Sequence, residues 1–257
     1  MACRDAYNKM LTSLVTPSRA VSRLLFGVHS AVQANDLLQN NLTEFEWVRR
    51  NKVYPNFWGR NICGKNALTQ AEIQFLHRKG CKIMAVWLAP GDKKTEDQGR
   101  LEAKKAVVTA TKLGIPRGTA IFMEIPEEEM AATKYLFGFA SGLLREGYTP
   151  GFKANTDAAW SFDREFSRGV QTQPDTFRRC LIWAVAPSLE EYDRITTTHL
   201  IHPDNWKPFA PSGTTRNDIA IWQYGKDCHP ILDDEGRPTC FHLDLVRNDR
   251  IITEKMF

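Results

Sequence analysis

Apolar and polar positions along this chain follow two periods. Short apolar runs read as strands: RLLFGV (23–28), NKVYPNFWG (51–59), CKIMAVWLA (81–89), GTAIFMEI (118–125), YTPGFKAN (148–155), CLIWAVA (180–186), DIAIWQYG (218–225) and TCFHLDLV (239–246). Between several of them, apolar residues recur three and four apart. LTQAEIQFLHRKG (68–80) predicts a helix capped by Thr69, with Glu72 completing a capping box and Gly80 ending it. TEDQGRLEAKKAVVTATKLG (95–114) predicts a second helix, closed by Gly114. EEEMAATKYLFGFASGLLREG (127–147) predicts a third, with Glu127, Glu128 and Glu129 in its first turn, where acids suit the helix dipole. Within it, GFASG (138–142) reads as a place of close packing rather than a nucleotide cradle. The polar stretches 163–178 and 196–217 read as long loops at a barrel mouth.

Strands alternating with helices predict βαβ units and a parallel sheet, and about eight strand candidates favour closure into a barrel. The expected fold class is α/β: a single (β/α)8-type, TIM-like barrel over residues 23–257, preceded by an N-terminal helical arm over 1–22. No linker or low-complexity segment divides the chain.

Composition changes this picture little. The chain has 257 residues, 42% hydrophobic and 25% charged, which is globular. The net charge of +4 is spread over pairs such as Arg49-Arg50 and Lys104-Lys105, so no basic face forms and nucleic acid is not the expected partner. Weak attraction to an anionic polymer or cell wall is compatible with this charge. No apolar run reaches the ~18 residues of a transmembrane segment, and the first residues lack the apolar core of a secretory signal. The chain reads as soluble. Its localisation is open, and action outside the cell would need another export route. Six cysteines occur without a C-x-x-C pair. Cys63, Cys81 and Cys180 read as small buried hydrophobes, while Cys228 and Cys240 are placed to meet across a hairpin, as thiols or as a disulfide.

In a parallel barrel, chemistry sits at the C-terminal ends of the strands. Those ends carry His29, Trp58 with Arg60, Trp87, Glu124, Asn155, Trp183, the run Trp222-Gln223-Tyr224, and His242 with Asp244. Aromatic faces beside carboxylates and amides suit sugar rings, which present apolar faces and hydroxyl edges.

Five stretches in order, GRNICGKNALTQAEIQFLHRKGCKIMAVW (59–87), EAKKAVVTATKLGIPRGTAIFMEI (102–125), YLFGFASGLLREGYTPGFKAN (135–155), IAIWQY (219–224) and FHLDLV (241–246), resemble a bacterial glycoside-hydrolase-like barrel, the domain of unknown function 1906. That family is similar in turn to the family 25 lysozymes, which cleave peptidoglycan glycan strands. The resemblance spans about residues 24–247. It implies a first strand ending Gly-(Phe/Val)-Asp, where this chain has Gly27-Val28-His29. It implies Asp-x-Glu at the end of the fourth strand, with the Glu as general acid, where this chain has Glu124-Ile125-Pro126. Trp222-Gln223-Tyr224 is intact, and the final Asp-Leu-(Asn/Asp) reads His242-Leu243-Asp244. Two expected aspartates are thus histidines, and the general acid is displaced by two positions. Glu127 lies one residue beyond the proline that replaces it, at what reads as a solvated helix start.

The expected function is that of a glycoside-hydrolase-like protein acting on a cell-wall, peptidoglycan-type or related glycan. Glu124 is the candidate acid, with His29, His242 and Asp244 positioning substrate or water. Trp58, Arg60, Asn155, Trp183, Trp222, Gln223 and Tyr224 are the candidate substrate-binding residues. The alternatives are a catalytically impaired barrel that binds glycan or a protein partner, and a metal-dependent hydrolase. No cofactor is called for. A divalent ion on His29 and His242 with Glu124 or Asp244 is the metal alternative. A set of Cys228, His229, Cys240 and His242 matches no common zinc module, and Asp233-Asp234-Glu235-Gly236 reads as a polar hairpin turn rather than a calcium loop.

Overall fold

A computed structural model describes residues 24–38, 41–50, 54–89, 91–127, 129–189, 206–232 and 238–257, with 187–189, 227, 229–232 and 238–240 as backbone. The expected arm over 1–22 and the acidic turn at 233–236 lie outside these residues. Eight strands close into one barrel in sequence order: β1 Leu25–Ser30, β2 Phe57–Asn61, β3 Lys82–Leu88, β4 Ala120–Glu124, β5 Thr149–Asn155, β6 Leu181–Leu189, β7 Ile219–Leu232 and β8 Pro238–Val246. The TIM-like barrel expected from the alternation is present. Strands β1 to β7 pair in parallel. The departure is β8, which runs antiparallel to both β7 and β1 and closes the seam. β7 and β8 are joined by a short connection, and a connection of that length allows only a hairpin.

Seven helices are described: α1 Glu44–Arg50, α2 Gln70–Arg78, α3 Glu96–Lys112, α4 Thr133–Arg145, α5 Ser161–Thr172, α6 Pro174–Phe177 and α7 Asp249–Lys255. α2 begins and ends as its sequence predicts: the Thr69 side chain accepts from the Glu72 amide, and Gly80 has φ +71°. Glu72 does not complete the capping box. Its carboxylate turns inward, because the barrel wall offers a stronger partner in Arg60, 2.7 Å away. α3 has the full box, from Thr95 and Gln98.

Two expectations give way to packing. The stretch 163–178 is mostly helical, α5 and α6, because Phe162 and Phe166 pack their rings against Phe152 of β5 and Phe177 packs on Phe166 behind them. α4 begins at Thr133, six residues after Glu127. The acids before it are not a first turn: Glu129 pairs with the buried Lys93, and the Ala132 amide donates to the Lys93 carbonyl. The GFASG segment does pack closely. A Cβ on Gly138 would lie 2.1 Å from the Glu96 carbonyl oxygen, so α3 and α4 touch backbone to backbone.

The core has two parts. One fills the barrel with Phe57, Met84, Phe122, Trp183, Ile221 and Val246, and Ile252 and Met256 of the α7 segment close the N-terminal end. The other lies between the barrel wall and the helices. Which side chain enters which part follows from strand alternation. Gly59 marks the phase of β2: a Cβ there would strike Trp183 at 2.7 Å and His29 at 3.0 Å, so Gly59 faces inward and Trp58 and Arg60 face outward.

Candidate functional site

The C-terminal ends of the parallel strands surround a cavity of about 180 Å³. Glu124 and Glu127 wall it beside β4, Lys153 and Asn155 on β5, Gln223 on β7 and His242 on β8. Lys153 organises the floor. Its ammonium nitrogen lies 2.8 Å from Oε1 of Glu124, 2.9 Å from Nδ1 of His29 and 5.4 Å from the centroid of the Trp183 ring. An ammonium only donates. Nδ1 of His29 therefore accepts, which assigns the ring proton of neutral His29 to Nε2. Burial, and next the positive charge of Lys153, hold the His29 pKa well below the usual histidine range.

His29 and His242 face each other across the seam in the β1–β8 register. Their rings stack with centroids 5.4 Å apart and planes 25° apart. Burial first, then Lys153, lowers the His242 pKa to about 3. Deeper in the barrel, Asp244 is fully buried and its Oδ1 accepts a 2.7 Å bond from the Trp183 indole. Burial pushes its pKa up to about 8; Lys153 and the indole bond pull the other way. Glu127 also belongs to the mouth: Oε1 accepts from the Asn155 amide at 2.9 Å, and Oε2 lies 4.0 Å from Lys226. Oε1 of Glu124 is taken by Lys153, while Oε2 has no hydrogen bond among the described residues.

Of the residues singled out from sequence, the structure brings together His29, Glu124, Asn155, Trp183, Gln223, His242 and Asp244 in the upper barrel. Trp183 and Asp244 lie below the cavity, fully buried, and present no face to it. Four residues are placed elsewhere. Trp58 packs on Phe45 of α1, with centroids 5.6 Å apart. Arg60 is fully buried behind the barrel wall, paired with Glu72 and donating to the carbonyls of Ser30 and Asn66. Trp222 donates to the Ala186 carbonyl and meets Trp206 edge-on. Tyr224 packs beside Trp222 at 5.9 Å. All four sit at the right height on their strands but on the outer face, a distinction that a reading of strand ends does not make. Trp87 does the same, bonding Glu102 of α3.

The metal alternative finds no support in this geometry. Stacked imidazoles do not converge on one ion, Nδ1 of His29 is occupied, and among the described residues no three His, Cys, Asp or Glu side chains could hold a metal. The side chains of His229 and Cys240 lie outside the description, and with them the second metal set and the Cys228–Cys240 pairing. The residue that sequence reasoning missed is Lys153. Its signal is a lone charged residue between Phe152 and Ala154 in a strand that carries no other charge.

A closed barrel whose mouth carries a carboxylate at the end of β4 is an architecture that glycoside-hydrolase-like barrels share with many others, and the family match decides among them. The chain belongs to the Rv2525c-like, glycoside hydrolase-like domain family, whose model matches residues 53–231. That match contains Glu124, Lys153 and Asn155, whereas His29, His242 and Asp244 lie outside it. A comparison with curated proteins returned no match. Among solved structures, an uncharacterized B. stearothermophilus protein is 23% identical with a TM-score of 0.72, over 91% of this chain and 100% of that one. A family 25 glycosyl hydrolase from Bacillus anthracis is 12% identical with a TM-score of 0.52, over 90% and 94%. The modular autolysin LytC from Streptococcus pneumoniae, solved with a synthetic peptidoglycan ligand, is 13% identical with a TM-score of 0.51; the match covers 86% of this chain and 46% of LytC. At these identities the likeness is one of fold. No helix among the described residues is long and apolar enough to cross a membrane.

Proposed function

We propose that this protein takes a peptidoglycan-type glycan at the barrel mouth and acts on its glycosidic linkage through Glu124. The observation that carries the reading is the position of Glu124: a carboxylate at the end of β4, a quarter exposed, in the wall of the mouth cavity. Glycoside cleavage needs a proton at the leaving oxygen, and a second carboxyl or a nucleophile supplied by the substrate. Oε1 of Glu124 is held by Lys153, so Oε2 is the oxygen for the glycosidic atom. Glu127, fixed by Asn155, is the second carboxylate of the mouth. Asn155, Gln223 and His242 would bond sugar hydroxyls. His29 and Asp244 act from below, His29 by receiving Lys153 and Asp244 by fixing Trp183. The test is turnover of purified peptidoglycan by wild type and Glu124→Gln; unchanged turnover in the variant rejects the mechanism.

The ion pair between Lys153 and Glu124 favours a second reading, a barrel that binds glycan without cleaving it. The pair engages the carboxyl that would deliver the proton. Retention of glycan with no release of reducing ends by the wild type would select this reading.

A further inference from the structure

The mouth cavity is smaller than the ~300–1,000 Å³ common for ligand pockets, and the side chains that wall it are mostly polar. Its aromatic residues have gone elsewhere: Trp183 is buried below, and Trp222 and Tyr224 are packed outside the wall. A sugar chain needs an apolar face to stack on as well as hydroxyl partners. Such faces occur on the rim around the end of β5. Trp160, in the turn that leads into α5, is 38% exposed, and Phe209, in the segment before β7, is 51% exposed. Met130, between β4 and α4, is 52% exposed.

Trp160 and Phe209 are carried on hydrogen-bonded backbone. The Thr156 hydroxyl donates to the Phe209 carbonyl at 2.8 Å, which seats Phe209 beside the end of β5. Asp163 accepts from the amide and hydroxyl of Ser212, and Ser167 donates to the Ser212 carbonyl, so the same segment is clamped to α5. The Trp160 amide donates to the Asp157 carbonyl, and the Asp157 amide donates to Oδ1 of Asn155. Asn155 itself walls the mouth. The rim and the cavity are therefore continuous through one short turn, and a backbone already ordered there leaves less to be fixed on binding.

We infer that Trp160 and Phe209 form an extension subsite, on which sugar units beyond the one in the mouth lie, so that the ligand is a glycan of two or more units. This rests on the reading of the mouth as a glycan site. Continuity with the polar cavity favours glycan over a protein partner for this surface.

The experiment is calorimetric titration with β-1,4-linked N-acetylglucosamine and its oligomers of two to five units, on wild type, Trp160→Ala, Phe209→Ala and Asn155→Ala. Affinity should rise with length in wild type. In the two rim variants it should fall by about tenfold for the longer oligomers and stay unchanged for the monosaccharide. Asn155→Ala should weaken every length. Circular dichroism melts will identify any variant that fails to fold; Trp160→Leu and Phe209→Leu then keep an apolar side chain without the aromatic face. Binding in wild type with no dependence on length, or rim variants that bind every length as wild type does, overturns the subsite alone. No binding of any length to the wild type overturns the glycan reading of the mouth together with it.

Discussion

Replacing Arg60 with methionine should cost the fold about 3–5 kcal/mol and leave the mouth intact. Arg60 is fully buried, with Nε 2.7 Å from a Glu72 carboxylate that is itself fully buried. Its two terminal nitrogens reach the carbonyls of Ser30 and Asn66, which tie the end of β1 and the β2–α2 loop to the wall. Removing the guanidinium leaves Glu72 with one partner, the Ala34 amide, and leaves two carbonyls without this donor. Burial already raises the Glu72 pKa, and Arg60 is the largest influence opposing it. At about 2–4 °C per kcal/mol for a chain near this size, the melting temperature should fall by roughly 6–20 °C. Urea unfolding followed by tryptophan fluorescence gives the free energy, and glycan titration below the transition checks the mouth. The double variant Arg60→Met with Glu72→Leu should recover part of the loss, because an uncompensated charge is no longer buried. A stability within about 0.5 kcal/mol of wild type, with glycan binding abolished, would refute the reasoning and return Arg60 to the site.

Three further outcomes are expected. Lys153→Met removes the second-largest cause of the low His242 pKa, so the His242 titration followed by NMR should move up from about 3; no upward movement would remove Lys153 from the floor of the site. Asp244 and Glu44 both have pKa values raised to about 8 by burial, so the native state binds more protons than the unfolded chain and their stabilisation is lost as pH rises through 8. The depressed histidines act below about pH 6.5, so unfolding free energy should decline between pH 6.5 and 9, and Glu44→Gln should flatten that decline; a flat or rising wild-type profile contradicts it. Gly138→Ala should destabilise by about 1–3 kcal/mol in thermal melts, although alanine is the better helix former, because its methyl would meet the Glu96 carbonyl; a stabilised variant would deny the backbone contact between α3 and α4.

Most of the fold was legible in local pattern. The eight strand segments, the Thr69 cap, the glycine stops and the close-packed glycines of α4 all express short-range chemistry. So did Glu124 and Asn155 at the ends of their strands. The antiparallel β8 was not legible, since strand direction depends on the connection and not on the strand's own residues. The helices α5 and α6 were hidden by a polar composition whose few phenylalanines acquire meaning only against Phe152. The site divides in the same way. Sequence by itself determined which residue types stand at each strand end: carboxylate, amide, histidine, tryptophan. Tertiary structure decided which of them face the mouth. Alternation fixes that neighbours on a strand point to opposite sides, yet the choice of side is set by closure of the barrel, where Gly59 makes room for Trp183 and His29. That closure carried Trp58, Arg60, Trp222 and Tyr224 outward to the helices and loops, and it placed Lys153, set back from the mouth-facing strand end at Asn155, between Glu124 and His29.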